Sequence, residues 1–304
     1  MEVAGRRPAT FEAAASAEMA AQRPPRSRAR DLLSRVLFVA LLLGCSLVFL
    51  APFAWLVSAS LKLRSEVFNL EWIPDPVQWV NYVKVWQAAP LLAWLKNSLL
   101  VGAIGAVAVT LSSSLVAFGF AYFRFRGRDL LFGLVLATMM LPQAVTMIPV
   151  YLIWNELGFI NTLVPLWAGN LFGSAFYVFL LRQFYLTLPR DLFNAARIDG
   201  ANYFQMWLRV ALPLTRTAMI VVFVFEFKAL WTDLMKPLIY LFDNTLFTMP
   251  RGIKTLVDRF GQGGEMQWEI VLAATVILTI PLILIFFLGQ RYFIEGISAS
   301  GVKE

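Results

Sequence analysis

Histidine is absent from this sequence, and cysteine occurs once, at Cys45. Without a Cys/His set there is no disulfide framework and no zinc-type site to expect. The absence of histidine, and of paired acidic residues within the apolar segments, removes the usual equipment for acid–base catalysis, which argues against a polytopic membrane enzyme. No G-x-x-x-x-G-K-S/T stretch is present to cradle phosphates, so the chain has no ATP site of its own to expect. Charge is also scarce. Only 15% of residues are Asp, Glu, Lys or Arg, against 59% hydrophobic, and the mean hydropathy is +0.69. That balance excludes an ordinary soluble domain and indicates a polytopic membrane protein. The net charge of +7 is spread among connecting loops, which suits a membrane surface better than nucleic acid.

Long apolar runs fill the chain. They place membrane spans over 36–59, 91–122, 130–154, 162–181, 217–240 and 268–289. Each has the roughly 20 residues needed to cross an apolar core of about 30 Å. Lipid offers backbone groups no partners, so each must be a helix. The predicted fold is all-α, with six transmembrane helices. The third span is interrupted by Pro142-Gln143 and Pro149, and Gly102, Gly105, Gly119 and Ser112 to Ser114 in the second permit close helix contact. Residues 1–31, rich in Ala, Arg and Pro, predict a disordered cytoplasmic tail ahead of a membrane domain over 32–304. The first apolar run is too long for a cleaved signal peptide and reads as an uncut anchor.

Orientation follows from the basic residues of the connections. Seventeen Lys and Arg fall on the side of the two termini, the 122–129 loop and the 182–216 region, against seven on the other. The termini and the 182–216 region are therefore expected in the cytoplasm. On the other side, 61–90 is rich in Trp and suits an interfacial cap. The 241–267 loop, with Gly261, Gly263 and Gly264, reads as flexible with a short helix.

The most informative stretch is Leu188 to Pro213, LPRDLFNAARIDGANYFQMWLRVALP. It is too polar to enter lipid. Pro189 and Asp191 are a helix-start signature, Asp199-Gly200 predicts a tight turn, and a second helical run from Ala201 is expected to stop at Pro213. A helix–turn–helix elbow at the membrane surface results. The bland alternative, an amphipathic helix lying on the membrane, leaves the spacing unexplained.

This elbow resembles the E-A-A loop of permease subunits in binding-protein-dependent ABC importers. In that family the triplet is followed by Gly six residues after its first position and by Leu-Pro near nineteen. Asn194-Ala195-Ala196, Gly200 and Leu212-Pro213 fall on those positions, and Asp199-Gly200-Ala201 supplies the frequent D-G-A. Asn194 departs from the usual Glu, with Asp191 and Asp199 as the neighbouring carboxylates. Trp231-Thr232-Asp233 with Pro237-Leu238, and the tail from Gln290-Arg291 to Gly301-Val302-Lys303, resemble the carbohydrate-uptake, MalG-like branch.

The resemblance implies a non-catalytic permease subunit that forms half of a translocation path for a sugar or related solute. It implies a second homologous permease, an ABC ATPase dimer that uses ATP and Mg, and an extracytoplasmic solute-binding protein, in a bacterial or archaeal inner or plasma membrane. No cofactor is expected on this chain. Asp191, Asn194, Ala195, Ala196, Asp199, Gly200, Ala201 and Pro213 would couple to the ATPase, with Ala195 and Ala196 keeping the contact surface flat.

Charges inside a span by default face a partner or an aqueous cavity. Glu226 and Lys228 are the clearest such charges, two positions apart and so on nearly opposite faces. Gln143, Asn170 and Tyr177 are polar candidates for the same path, and Trp231 could stack on a sugar ring or simply pack. The rival reading is an ion-gradient-driven secondary transporter, which would favour inverted repeats and acidic coupling sites.

Overall fold

The computed structural model describes residues 28–261 and 264–301, with side chains over 32–261 and 264–290. Residues 1–27, Gly263, and Val302 and Lys303 of the tail motif lie outside the described residues. Arg28 to Asp31, placed in the tail by composition, are helical. Among the described residues every regular element is helical. The chain divides into two compact units, 1–55 and 56–304. Helix α1, Arg28–Ser60, begins in the first. There its leucines and phenylalanines from 32 to 50, and Cys45, are exposed.

In the second unit, α2 is Val80–Ala88 and α3 is Leu91–Tyr122. Then come α4 (Arg128–Ala137), α5 (Gln143–Glu156), α6 (Val164–Trp167) and α7 (Ala175–Leu186). The elbow comprises α8, Arg190–Ile198, and α9, Tyr203–Leu214. Helices α10 (Arg216–Thr232), α11 (Met235–Tyr240), α12 (Met249–Phe260) and α13 (Trp268–Gly301) complete the chain.

Four helices are long and apolar enough to cross a membrane: Leu32–Ser60, Leu91–Tyr122, Val164–Leu186 and Trp268–Gln290. Counting each bent pair as one span gives up to six. The number agrees with the sequence; the straightness does not. The third predicted span bends by 97° between Arg128–Met140 and Gln143–Glu156. Pro142 lacks an N–H and its ring would meet the carbonyl four residues back, so the helix tightens to a 3-10 turn over Thr138–Met140 and breaks. Pro149, expected to interrupt as well, sits inside α5. The fifth predicted span ends at Thr232 instead of Tyr240, because Pro237 puts the same constraint on Asp233. Asp233 Oδ1 then accepts the N–H groups of Met235 and Lys236 and starts a new helix. The apolar partner of α10 is α9, across an 83° bend.

Helix α3 is the centre of the unit. Its small residues are where α10 crosses it. A Cβ on Gly102 would lie 2.8 Å from the Phe227 ring, and one on Gly105 would overlap Leu230. Lipid supplies little hydrophobic drive between helices, so this closeness, with its dispersion contacts, is what holds them together.

The face opposite the elbow is tied down by hydrogen bonds rather than left as loops. Lys62, 1% exposed, donates to the Asn69 carbonyl and side-chain oxygens at 3.1 and 2.7 Å. Trp94 Nε1 donates to the Asn244 carbonyl at 2.7 Å, and Ser98 Oγ accepts the Met249 N–H at 2.7 Å. Asn97 bonds the Thr245 and Phe247 carbonyls. Met249, Leu256 and Phe260 of α12 are buried against this start of α3. The Asp243 carboxyl, accepting the Thr245 N–H, is held below the usual aspartate range. Much of the 241–267 stretch is thus an ordered cap, and the short helix expected in it is α12.

Candidate coupling elbow and translocation cleft

The elbow is built by two local motifs. Helix α8 closes with a Schellman motif: Gly200 N–H donates to the Arg197 carbonyl at 3.1 Å, and Ala201 N–H to the Ala196 carbonyl at 2.9 Å. Gly200 takes φ +84, with nothing within 4 Å of where a Cβ would stand. Only the backbone angle calls for glycine there. Two residues on, Asn202 and Gln205 form a reciprocal capping box, both bonds at 2.9 Å, and start α9. The N-x-x-Q spacing of Asn202 and Gln205 is the sequence signal for this start.

Helix α9 does not stop at Pro213. Residues Trp207–Ala211 form a π turn, and the helix runs on to Leu214 before bending. Kinks are commonly absorbed at such wide turns.

The alanine pair divides its roles. Ala195 is exposed, whereas Ala196 packs inward, together with Ala201, against the cluster around Phe193, Met206 and Trp207. Ala196 and Ala201 are the apolar contact that accompanies a Schellman closure. Of the two alanines expected on the flat outer surface, Ala195 alone is exposed, and Ala196 is turned inward. At ~100° per residue, Asp191, Asn194, Ala195 and Ile198 share the outward side. All four are exposed, Ile198 by 86%, and so are Asp199, Gly200 and Pro213.

Anchorage of the elbow comes from aromatic residues that the sequence did not single out. Phe193, 4% exposed, meets the rings of Phe118 and Tyr122 at the end of α3, at centroid distances of 5.8 and 5.5 Å. Tyr203 meets Phe123 at 4.9 Å. Deeper, Ser114 of α3 accepts the Trp207 Nε1–H at 3.0 Å and shares a hydrogen bond with the Tyr185 hydroxyl at 2.6 Å. Three elements, α3, α7 and α9, meet at one buried hydroxyl. The elbow is therefore fastened to the central helix as well as to the spans on either side of it in sequence.

Four of the six path candidates converge. Asn170 Nδ2 donates to Glu226 Oε1 at 2.6 Å and to the Gly105 carbonyl at 3.1 Å. The buried Tyr177 hydroxyl lies beside the same carboxylate. Glu226 and Gln143 line one open cleft of about 490 Å³ between α5 and the α10–α11 break. Its cation, Lys236, sits 4.0 Å from Asp233.

Two candidates lie elsewhere. Lys228 is exposed and does not line that cleft, in keeping with its offset from Glu226. Trp231 is fully buried, stacks on Phe227 at 5.6 Å and donates to the Leu278 carbonyl at 3.2 Å. With no exposed surface its ring is committed to packing, the second of the two readings its sequence position allowed. Among the described residues no group of three His, Cys, Asp or Glu could hold a metal ion.

Fold and elbow together define a class: an all-α, multi-pass membrane protein carrying one ordered polar elbow between apolar helices. The family described as binding-protein-dependent transport system inner membrane component matches residues 111–298. The chain belongs to that family, the non-catalytic permease subunits of ABC importers, in which ATP hydrolysis is the work of a partner ATPase.

The chain is 32% identical over 263 residues to the arabinooligosaccharides transport system permease protein AraQ of Bacillus subtilis, covering 85% of this chain and 92% of that one. It is 33% identical over 270 residues to the sn-glycerol-3-phosphate transport system permease protein UgpE of Yersinia enterocolitica, covering 86% and 95%. Its fold is similar to a chain in the crystal structure of a bacterial ABC transporter involved in the import of the acidic polysaccharide alginate. There the TM-score is 0.75 at 23% identity, covering 89% of this chain and 99% of that one. Nothing in these likenesses supports the ion-gradient alternative.

Proposed function

We propose that this chain imports a sugar or related small solute as one half of a permease pair, with a second homologous permease supplying the facing half. The relatives' names are the reason for the solute class. An ATPase dimer using ATP and Mg docks on the elbow from the cytoplasm, and an extracytoplasmic binding protein delivers solute to the α12 side. The bacterial or archaeal inner or plasma membrane is the site of action, with no cofactor held by this chain.

The observation that carries the proposal is the elbow's construction. Its inner side is bolted to α3 by Phe193, Tyr203 and the Ser114 hydroxyl, while Asn194, Ala195, Ile198 and Asp199 stay free on its outer side. A partner pushing on that surface moves α3, α7 and α10 as a group rather than bending a loose loop. Asp191, one turn before Asn194 on the exposed face, supplies the carboxylate that the family's usual Glu would provide. In the cleft, the Asn170–Glu226 bond links the turn before α7 to α10, so relative motion of the two opens or closes hydrogen-bonding capacity for solute hydroxyls.

Affinity co-purification from native membranes, followed by mass spectrometry, tests the assembly. A P-loop ATPase and a second permease are the expected companions. A chain that purifies alone and still transports solute sinks the proposal.

A further inference from the structure

On the elbow side, the α3–α4 loop and the first residue of α8 enclose an open cleft of about 570 Å³. Arg124, Arg128 and Arg190 line it, with Asp129 as the one carboxylate, already paired with Arg128 at 2.9 Å. Three guanidiniums against one carboxylate leave the cleft positive. Two helices also begin there, α4 after Gly127 and α8 after Pro189, and neither has a side-chain cap for its first N–H groups. Their dipoles add to the same sign. The rim is apolar: Phe125 is 45% exposed and Leu130 is 70% exposed.

We infer that this cleft binds the phosphate headgroup of an anionic membrane lipid. Phosphate oxygens suit the planar, multiply donating guanidinium. Basic pockets at span ends are where such headgroups settle. The cleft lies where α3 ends and α4 starts, at the level at which a spanning helix leaves the apolar layer, and Phe125 and Leu130 offer contact to acyl chains. On α8, Arg190 stands ~100° away from Asp191 but about 40° from Asn194, one turn on, at the edge of the outward side. It lines the cleft together with the α3–α4 loop, beside the surface that the proposed ATPase would cover. A bound headgroup would clamp the start of the elbow to that loop, so anionic lipid would set how firmly the elbow is held.

The test uses the assembled transporter in nanodiscs of phosphatidylcholine with phosphatidylglycerol, with bound lipid counted by native mass spectrometry. Arg124→Gln with Arg190→Gln is expected to cut phosphatidylglycerol retention on the order of 25-fold, from about fivefold per basic residue. Arg124→Lys with Arg190→Lys should keep most of it. Equal retention in the parent and the Gln variant overturns the site. So does ready displacement by inorganic phosphate with no preference for phosphatidylglycerol over phosphatidylcholine, which marks a free-anion site. If the Gln variant fails to assemble, salt titration of the parent decides. Retention must fall as ionic strength rises, and a flat response overturns the inference. Presence of an ATPase in the same preparation reports separately on the proposed function.

Discussion

Replacing Gly200 separates backbone geometry from bulk, because the space around its missing Cβ is open while φ stands at +84. An L-residue there costs about 1–2 kcal/mol through the clash of Cβ with its own backbone, and a β-branched one costs more. Since ~1.4 kcal/mol is a factor of ten in an equilibrium, Gly200→Val should shift the elbow away from its closed turn by tenfold or more. The two Schellman bonds, to Arg197 and Ala196, would be lost with it. Asn tolerates the left-handed region, so Gly200→Asn should behave nearly as the parent, with Gly200→Ala between.

The assay is solute imported per ATP hydrolysed by the assembled transporter in proteoliposomes, using the solute carried by its own binding protein. The expected order of coupling is Gly, Asn, Ala, Val, with insertion and assembly retained. A flat series refutes the role assigned to the turn. A series ordered by side-chain size, with Asn worse than Ala, also refutes it, because bulk against a partner would then be deciding.

Phe193→Ala removes the ring held between Phe118 and Tyr122 and should destabilise the elbow's seat by about 3 kcal/mol. Amide exchange over 190–206 should speed up, and unchanged exchange counts against the anchor. Trp231→Phe loses the bond to the Leu278 carbonyl, at about 1 kcal/mol. It should lower the melting temperature and leave the uptake KM alone, whereas a raised KM with unchanged melting would restore a role in solute stacking. Glu226→Ala leaves one Asn170 amide hydrogen without its acceptor, the other staying on the Gly105 carbonyl, at about 1–3 kcal/mol, while Glu226→Gln keeps an acceptor. The Ala variant should melt lower than the Gln variant, and equal melting refutes the hydrogen-bond account. Gly252→Ala drives a methyl into the Trp94 ring and should cost about 1–3 kcal/mol by overpacking. Adding Trp94→Phe should recover part of the loss in melting temperature, and no recovery removes Trp94 as the cause.

Composition and spacing alone determined that this chain crosses a membrane, with up to six crossings and a polar elbow between the fourth and fifth. Those features are legible locally. Lipid forces any long apolar run into a helix, and the Asn194-to-Pro213 spacing is a pattern along the chain. Even the interruption at Pro142 could be read, though not that it would turn the helix by 97°.

Tertiary structure decided which residues meet. Whether Ala196 faced out or in depended on where Phe193 found α3. Along the chain Trp231 could equally stack on solute or pack, and only its burial, with its N–H on the Leu278 carbonyl, decides for packing. Asn170 and Glu226, 56 positions apart, were candidates on separate grounds. Only the close approach of α10 to the glycines of α3 put them within one hydrogen bond. Periodicity records which face of a helix is apolar, but in a membrane protein nearly every face is apolar. The choice among faces therefore falls to close packing and to the few buried polar groups that must find each other, and neither is written in any single stretch of sequence.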